Sequence, residues 1–488
     1  MLSRSIVLLP IIVSTLTACT VGPNYKRPNI SLPEQYLGTS LNSSNDNSKA
    51  DIAVWWQSFN DPQLTRYVTL ALKQNLDLTQ AYTRVTQAQA GLSAANASLQ
   101  PIGSVGAQAA KVYQSVETPL GQVLNSMPDF DRHGSSYDAN LSATWELDIF
   151  GGLRRDREAA LANYQSSNAG ASAVRLMVAA QTANIYINIQ GLQSRLDIAH
   201  QQLQTQQQLL STINLLYSKG LASEFQVKQA KANVAQVQAV VPVLGMNLDI
   251  AMNALDVMLG TVPGTHRAEL AEVKPIPVIP QITETGTPRD LLRRRPDLIM
   301  AERQLAASNA RIGSAIAEYY PKVSLGGLIG SATTASGNLF SSGANQAAGL
   351  LGLRWRLFDF GRINAEIRLA KGQEAEKLAG YQLAVLHAAE DVENSLSTLS
   401  KRQEQLMALQ EGENALKHAQ KIALIAYQKG INSRIEVLQA DSSALQFSDR
   451  KFQAQTDSAL VAIAVYKSLG GGWQPQDFWD TPLAVVGT

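Results

Sequence analysis

The chain has 488 residues, with 41 basic and 40 acidic side chains and a formal net charge of +1. That balance gives no electrostatic reason to expect nucleic acid as a partner. Hydrophobic residues make up 45% and charged residues 17%, against roughly 25% charged in an average soluble domain, so a core is possible and function has to come from pattern.

The N-terminus carries the first signal. Arg4 precedes an apolar run at 6–16, shorter than the ~20 residues that span a bilayer and laid out like a secretory signal. Residues 1–18 read as a signal peptide. Leu16, Thr17, Ala18 and Cys19, the only cysteine, resemble a bacterial lipobox, which makes Cys19 the expected lipidation site. More than one acyl chain gives a stable anchor, and Thr20 in place of aspartate favours the outer membrane. Residues 19–60 then form a lipidated segment and linker, with a Ser/Asn-rich tether at 40–48.

Beyond the linker the chain is written twice. Tyr217, Gly220 and Ser223 recur 210 positions later as Tyr427, Gly430 and Ser433. Trp145, Phe150 and Gly151 recur at the same offset as Trp355, Phe360 and Gly361, and Leu259-Gly260 recurs as Leu469-Gly470. Upstream the offset is 220, from Asp77, Leu78 and Pro101 to Asp297, Leu298 and Pro321. The first copy therefore carries about ten extra residues between Pro101 and Trp145, where loops tolerate insertion. The copies are placed at 61–260 and 289–470, with a connector at 261–288 and a tail at 471–488.

Each copy predicts the same elements. In the first, Asp77 is expected to cap a helix over 78–99 that ends before Pro101. Two strand-like runs follow, then a proline-free helix over 152–218, which at 1.5 Å per residue is ~100 Å long. Gly220 suits the left-handed residue that ends a helix. Ser223 with Gln226, and Ser433 with Glu436, predict capping boxes for the next helices. Ile185, Ile189, Leu192, Leu196, Ala199, Leu203, Gln206, Leu210 and Ile213 are spaced alternately by four and three, a coiled-coil seam.

The strand runs carry the membrane signal. From Tyr137 to Ile149 every odd residue is apolar and every even one polar. Leu351, Leu353, Trp355 and Leu357 alternate with Gly352, Arg354 and Arg356, and Val323 and Leu325 with Lys322 and Ser324. Transmembrane barrel strands need 9–11 residues with lipid-facing and lumen-facing side chains alternating. Four strands cannot close around water. Pooling two chains gives a filled eight-stranded barrel, and three chains give twelve strands with room for a pore. The loops at 115–134 and 332–346 are expected outside the cell.

Residues 19–28, Trp55-Trp56 with Asp61-Pro62, the stretch Leu292 to Leu298, and Leu469 to Trp473 are together similar to the signatures of the outer membrane factor family, the TolC-like channels, in its lipidated efflux branch. The match runs over essentially the whole mature chain. The resemblance implies a homotrimer with a twelve-stranded barrel, four strands per chain, continued by a periplasmic helical tunnel. It implies outer-membrane lipid around the barrel, a periplasmic adaptor and an inner-membrane pump as partners, and no cofactor. Adaptor contact is expected at the hairpin tips: Gly220, Leu221, Ser223, Gly430, Ile431 and Ser433. Members often carry aspartates past the second tip, where this chain has Asn432 and Gln439, so Glu436, Asp441 and Tyr427 are the candidate gate. Arg293, Arg294 and Arg295, beside Pro296 and Asp297, are expected to brace a helix start or the rod's middle. Small-molecule efflux is the expected function, with a duct for type I protein secretion or for metal cations as the alternative. No nucleophile-elbow, phosphate-loop or zinc spacing supports an enzyme.

Overall fold

The computed structural model describes residues 20–37, 52–280, 282 and 287–474. The signal segment, Cys19 and the tether therefore lie outside the described residues. Helices α1 (Pro62–Gln74) and α2 (Leu76–Ala97) lead into strand β1 (Ile102–Tyr113), short helix α3 (Pro119–Asn125) and strand β2 (His133–Glu146). The 67-residue α4 (Gly152–Ser218) and α5 (Glu224–Met258) complete the first copy. The second comprises α6 (Leu291–Arg294), α7 (Pro296–Ala317), β3 (Lys322–Thr333), β4 (Asn345–Arg354), the 67-residue α8 (Arg362–Gln428) and α9 (Arg434–Ser468).

The duplication holds to the residue. Helices α4 and α5 reappear as α8 and α9 with both ends moved by 210, and α2 and β1 reappear as α7 and β3 moved by 220. Two compact units result. One contains residues 86–165 and 302–380 with the described segment up to Pro28, and the other contains 29–85, 166–301 and 381–474 among the described residues.

The first unit holds a single antiparallel sheet in the order β1-β2-β3-β4. Beneath it, the first turns of α4 pack on α7 through Ala159, Ala162, Ala306, Ala307 and Ala310, with Tyr25 against them. Residues 20–25 are strapped to this core. The buried Arg155 guanidinium donates to the Val21 carbonyl at 3.1 Å, the Gly22 carbonyl at 3.3 Å and Asn24 Oδ1 at 2.8 Å. A Cβ on Gly22 would fall 2.4 Å from the Gly313 Cα, so two glycines are what allow the approach.

The second unit is a layer of long antiparallel helices. Helix α9 is held on one side by α4, where Arg195 grips Asp449 at 2.8 and 3.3 Å and Gln206 donates to Ser442 at 2.9 Å. Its other side faces α8, where Gln420 donates to Asp441 at 2.7 Å and Ser448 to Glu413 at 2.7 Å. The expected seam is real: every one of its residues from Ile185 to Ile213 is buried or half-buried. A knot of aromatic residues closes the unit, with Trp55 fully buried and stacked on Tyr466 at 5.4 Å.

Several local expectations need correction. Asn75, not Asp77, caps α2, accepting from the Leu78 amide at 3.1 Å, and Asp77 lies inside the first turn. An unforeseen helix precedes it: Asp61 accepts from the Gln63 and Leu64 amides, and Pro62 at the first position supplies a preset φ. Strand β2 starts earlier and ends earlier than 137–149, and Trp355 and Leu357 lie past the end of β4. Trp145, still within β2, and Trp355 donate their indole N–H groups to Leu99 and Tyr319, equivalent carbonyls in the two copies, each at 3.0 Å. The 115–134 loop contains α3.

Candidate channel wall and helix-hairpin tips

The sheet puts its two kinds of residue on opposite faces. Val105, Leu141 and Ile329 are direct cross-strand partners, as are Trp145, Leu325 and Leu351. These side chains are open to the surroundings, Val105 at 81% and Leu351 at 75% exposure. On the other face Ser104 and Ser142 hydroxyls lie 2.8 Å apart, Asn140 donates to Asp138 at 3.0 Å, and Gln346 donates to Asn140 at 2.7 Å. Gly330 leaves the room for this network, since a Cβ there would sit 2.3 Å from the Asn140 carboxamide oxygen. One face thus suits hydrocarbon and the other water. Leu328 and Leu350 lie on the polar face, so the alternation is less strict in the second copy.

The first tip is built by Tyr217 to Ser223. Gly220 has φ +74, its amide donates to the Tyr217 carbonyl, and the Leu221 amide donates to the Leu216 carbonyl at 2.8 Å. Those two bonds form a Schellman ending. The second tip repeats it: Gly430 has φ +74, and the Ile431 amide reaches the Ala426 carbonyl at 2.9 Å. Capping differs between them. Ser223 and Gln226 form the full reciprocal box, at 3.3 Å and 2.9 Å. At the second tip Ser433 accepts from the Glu436 amide at 3.4 Å, and α9 carries no reciprocal bond to the Ser433 amide. The expected box is there only by half. Leu221, Phe225 and Ile431 project as exposed apolar residues, at 74, 74 and 75%.

The candidate gate residues have separate partners. Glu436 sits in the first turn of α9, Asp441 is tied to Gln420, and the Tyr427 carbonyl accepts from Gly430 while its ring is partly exposed. A stronger polar device lies about two turns from Asp441 along α9, and sequence reasoning missed it. Glu413, 2% exposed, accepts from Ser448 at 2.7 Å, Lys451 at 2.9 Å and Lys417 at 3.0 Å. Burial alone would raise its pKa, but the Lys451, Ser448 and Lys417 hydrogen bonds hold it down at about 2. Lys417 at four residues' distance was a visible hint; Lys451, on another helix, was not.

Of the three arginines at 293–295, Arg295 is the brace. It binds Asp297 at 2.7 Å and Asp391 at 3.0 Å and reaches the Ser468 carbonyl at 3.3 Å. Opposite it, Gly470 (φ +76) approaches the Arg294 carbonyl so closely that a Cβ would lie 2.8 Å away, and the Trp473 indole donates to the same carbonyl.

Known proteins share this arrangement. The outer membrane efflux protein family matches residues 67–261 and 287–471. The pyoverdine export outer membrane protein OpmQ of Pseudomonas putida is 30% identical, over 97% of this chain and 98% of its own. The probable outer membrane lipoprotein SilC of Salmonella typhimurium is 28% identical, over 94% of this chain and 95% of its own. The solved outer-membrane channel OprN has a TM-score of 0.83 at 31% identity, over 93% of this chain and 100% of that one. Matched in both of its copies, the chain belongs to the outer membrane efflux protein family, whose members are channel subunits of efflux systems in the outer membrane.

Proposed function

We propose that three copies of the chain pool their strands into a twelve-stranded barrel opening into a helical tunnel, the passive exit of a tripartite efflux system. The observation that carries this reading is the sheet: four strands with both edges open and an apolar face 69–81% exposed at Leu353, Leu351 and Val105. Unpaired edges and bare apolar faces are unstable in water, and four strands cannot enclose a pore. Lipid covers the face and neighbouring copies cover the edges. Exposed Val243, Met246 and Ile250 on α5, and Leu383, Leu386 and Met407 on α8, support burial between subunits as well.

Cys19 carries the lipid that tethers each subunit. The tips receive a periplasmic adaptor, around Gly220, Leu221, Ser223, Gly430, Ile431 and Ser433, and an inner-membrane pump supplies the cargo. Among the relatives, OpmQ is named for pyoverdine export and CusC of Escherichia coli for cation efflux. Both classes are small solutes, and the duct takes what its pump delivers.

The test is deletion of the gene followed by sensitivity profiling against drugs, dyes, metals and siderophore overload, with reconstitution of the purified chain in planar bilayers. Hypersensitivity restored by the parent gene, with discrete conductance steps, is expected. Unchanged sensitivity together with a non-conducting protein would sink the reading. Cys19→Ala is expected to lose palmitate labelling.

A further inference from the structure

The duplication supplies an internal control for every charge on the sheet, and one group of charges has no counterpart. Lys322 at the start of β3 is the direct partner of Arg354 at the end of β4. Like charges directly opposite each other destabilise a ladder. The same two positions in the first hairpin, moved by 220 and 210, hold Ile102 and Thr144, both uncharged. The fold therefore closes the foot of a hairpin without cations. The neighbouring positions differ too, with Glu318 and Arg356 where the first copy has Ser98 and Glu146.

Pairing defines where these charges point. Successive residues of a strand alternate faces. Lys322 and Arg354, two places from the partners Ser324 and Gly352, thus share the polar face of Ser142 and Asn140 and not the apolar face of Leu325 and Leu351. Glu318 accepts from Lys322 and lies 3.1 Å from Arg356. Burial raises its pKa, but the Lys322 hydrogen bond and the charges of Lys322, Arg356 and Arg354 hold the carboxyl below its usual range. Two cations share that one carboxylate, and the exposed Arg354 has no ion-pair partner among the described residues. Glu146, half-buried on the same face opposite Ser324, is the other carboxylate at this level. Asp148 and Asp359 are already engaged, the first by Arg154 and the second by the Gly361 and Ile363 amides.

We propose that Lys322 and Arg354 form an oxyanion-binding site on the lumen wall, at the periplasmic foot of the barrel, which engages carboxylate or phosphate groups of exported solutes. This rests on the pooled-barrel reading above and adds a solute chemistry to it. Directly opposed side chains start ~5 Å apart at their Cβ atoms, so one oxyanion can accept from both cations. The arginine fork matches a carboxylate or phosphate with two parallel hydrogen bonds. Phospholipid headgroups share that chemistry, but they lie on the apolar side of the wall, which neither residue faces. Repeated in each subunit, the pair sets basic side chains around the pore, an arrangement that favours anions.

Planar-bilayer recordings of the purified chain test the site, with citrate, a small tricarboxylate, as the probe at low ionic strength, where charges are least screened. Citrate is expected to block the parent channel. Arg354→Gln breaks no ion pair and should weaken that block about tenfold, the loss of one charge-assisted hydrogen bond. Arg354→Lys keeps the charge and should retain most of the block, and Lys322→Gln with Arg354→Gln should abolish it. A parent that conducts in discrete steps without citrate block overturns the site and leaves the channel reading standing. So does equal block in the parent, Arg354→Gln and the double variant. A parent that forms no conducting pores overturns both.

Discussion

Glu413 shows what one side chain contributes. A buried carboxylate is costly unless paired and hydrogen-bonded, and this one has two lysines and a serine. Its folded pKa, about 2, is below the ordinary 4.5. A depressed carboxylate contributes stability that is fully present above its unfolded pKa and is lost as pH falls through the folded value. The window therefore runs from about 4.5 down to about 2. Glu413→Gln is expected to destabilise the α8–α9 hairpin by about 3 kcal/mol at pH 7, since it strands Lys451 beside a neutral partner. Thermal unfolding followed by circular dichroism should show the gap between parent and variant narrowing as pH drops below 4; a gap independent of pH would refute the ion-pair account. Arg155 acts locally too, by fixing residues 21–24 against the foot of the sheet, just after the expected lipid site.

At the scale of elements, each ~100 Å helix ends on one glycine. Gly430 takes φ +74, with open space where a Cβ would go. Asparagine tolerates that conformation and most other residues strain it. Gly430→Asn should therefore keep both assembly and resistance. Gly430→Trp should keep trimers on native gels yet abolish drug resistance, because it places a bulky ring on the proposed adaptor surface; full resistance in that variant would argue against docking there. The two tips also differ in strength. Ser223→Ala removes a reciprocal box and Ser433→Ala half of one, so the first should lose about 1 kcal/mol and the second less, read as hydrogen-exchange protection in the first turns of α5 and α9.

For the whole molecule, three-fold repetition turns single side chains into rings. Three copies of Glu436 and Asp441 would bring like charges together near the second tip of the proposed tunnel, attracting cations. Glu436→Gln with Asp441→Asn is expected to reduce cation selectivity several-fold in single-channel recordings. Unchanged selectivity would remove both from the gate and turn attention to the Glu413 cluster. Asp441 already has a hydrogen bond to Gln420, so its loss should also loosen α8 against α9.

Much of this protein was legible in one dimension, because its signals are periodic or local. The seam from Ile185 to Ile213, the limits of the 152–218 helix, the Gly220 and Gly430 turns, and the alternation at 137–146 depend on residues near each other in the chain. The duplication added the rest of the topology, since two copies with equal spacing must fold alike. What the sequence left open depends on residues brought together from afar. Asn75 takes the cap expected of Asp77 because the chain bends between two helices there. Strand β2 is set by pairing with β1 and β3, not by its own pattern. Arg155 with residues 21–24, Arg295 with Asp391 and Glu413 with Lys451 become partners only when the helices pack. Periodicity fixes which face a residue occupies; only tertiary structure decides what it meets there.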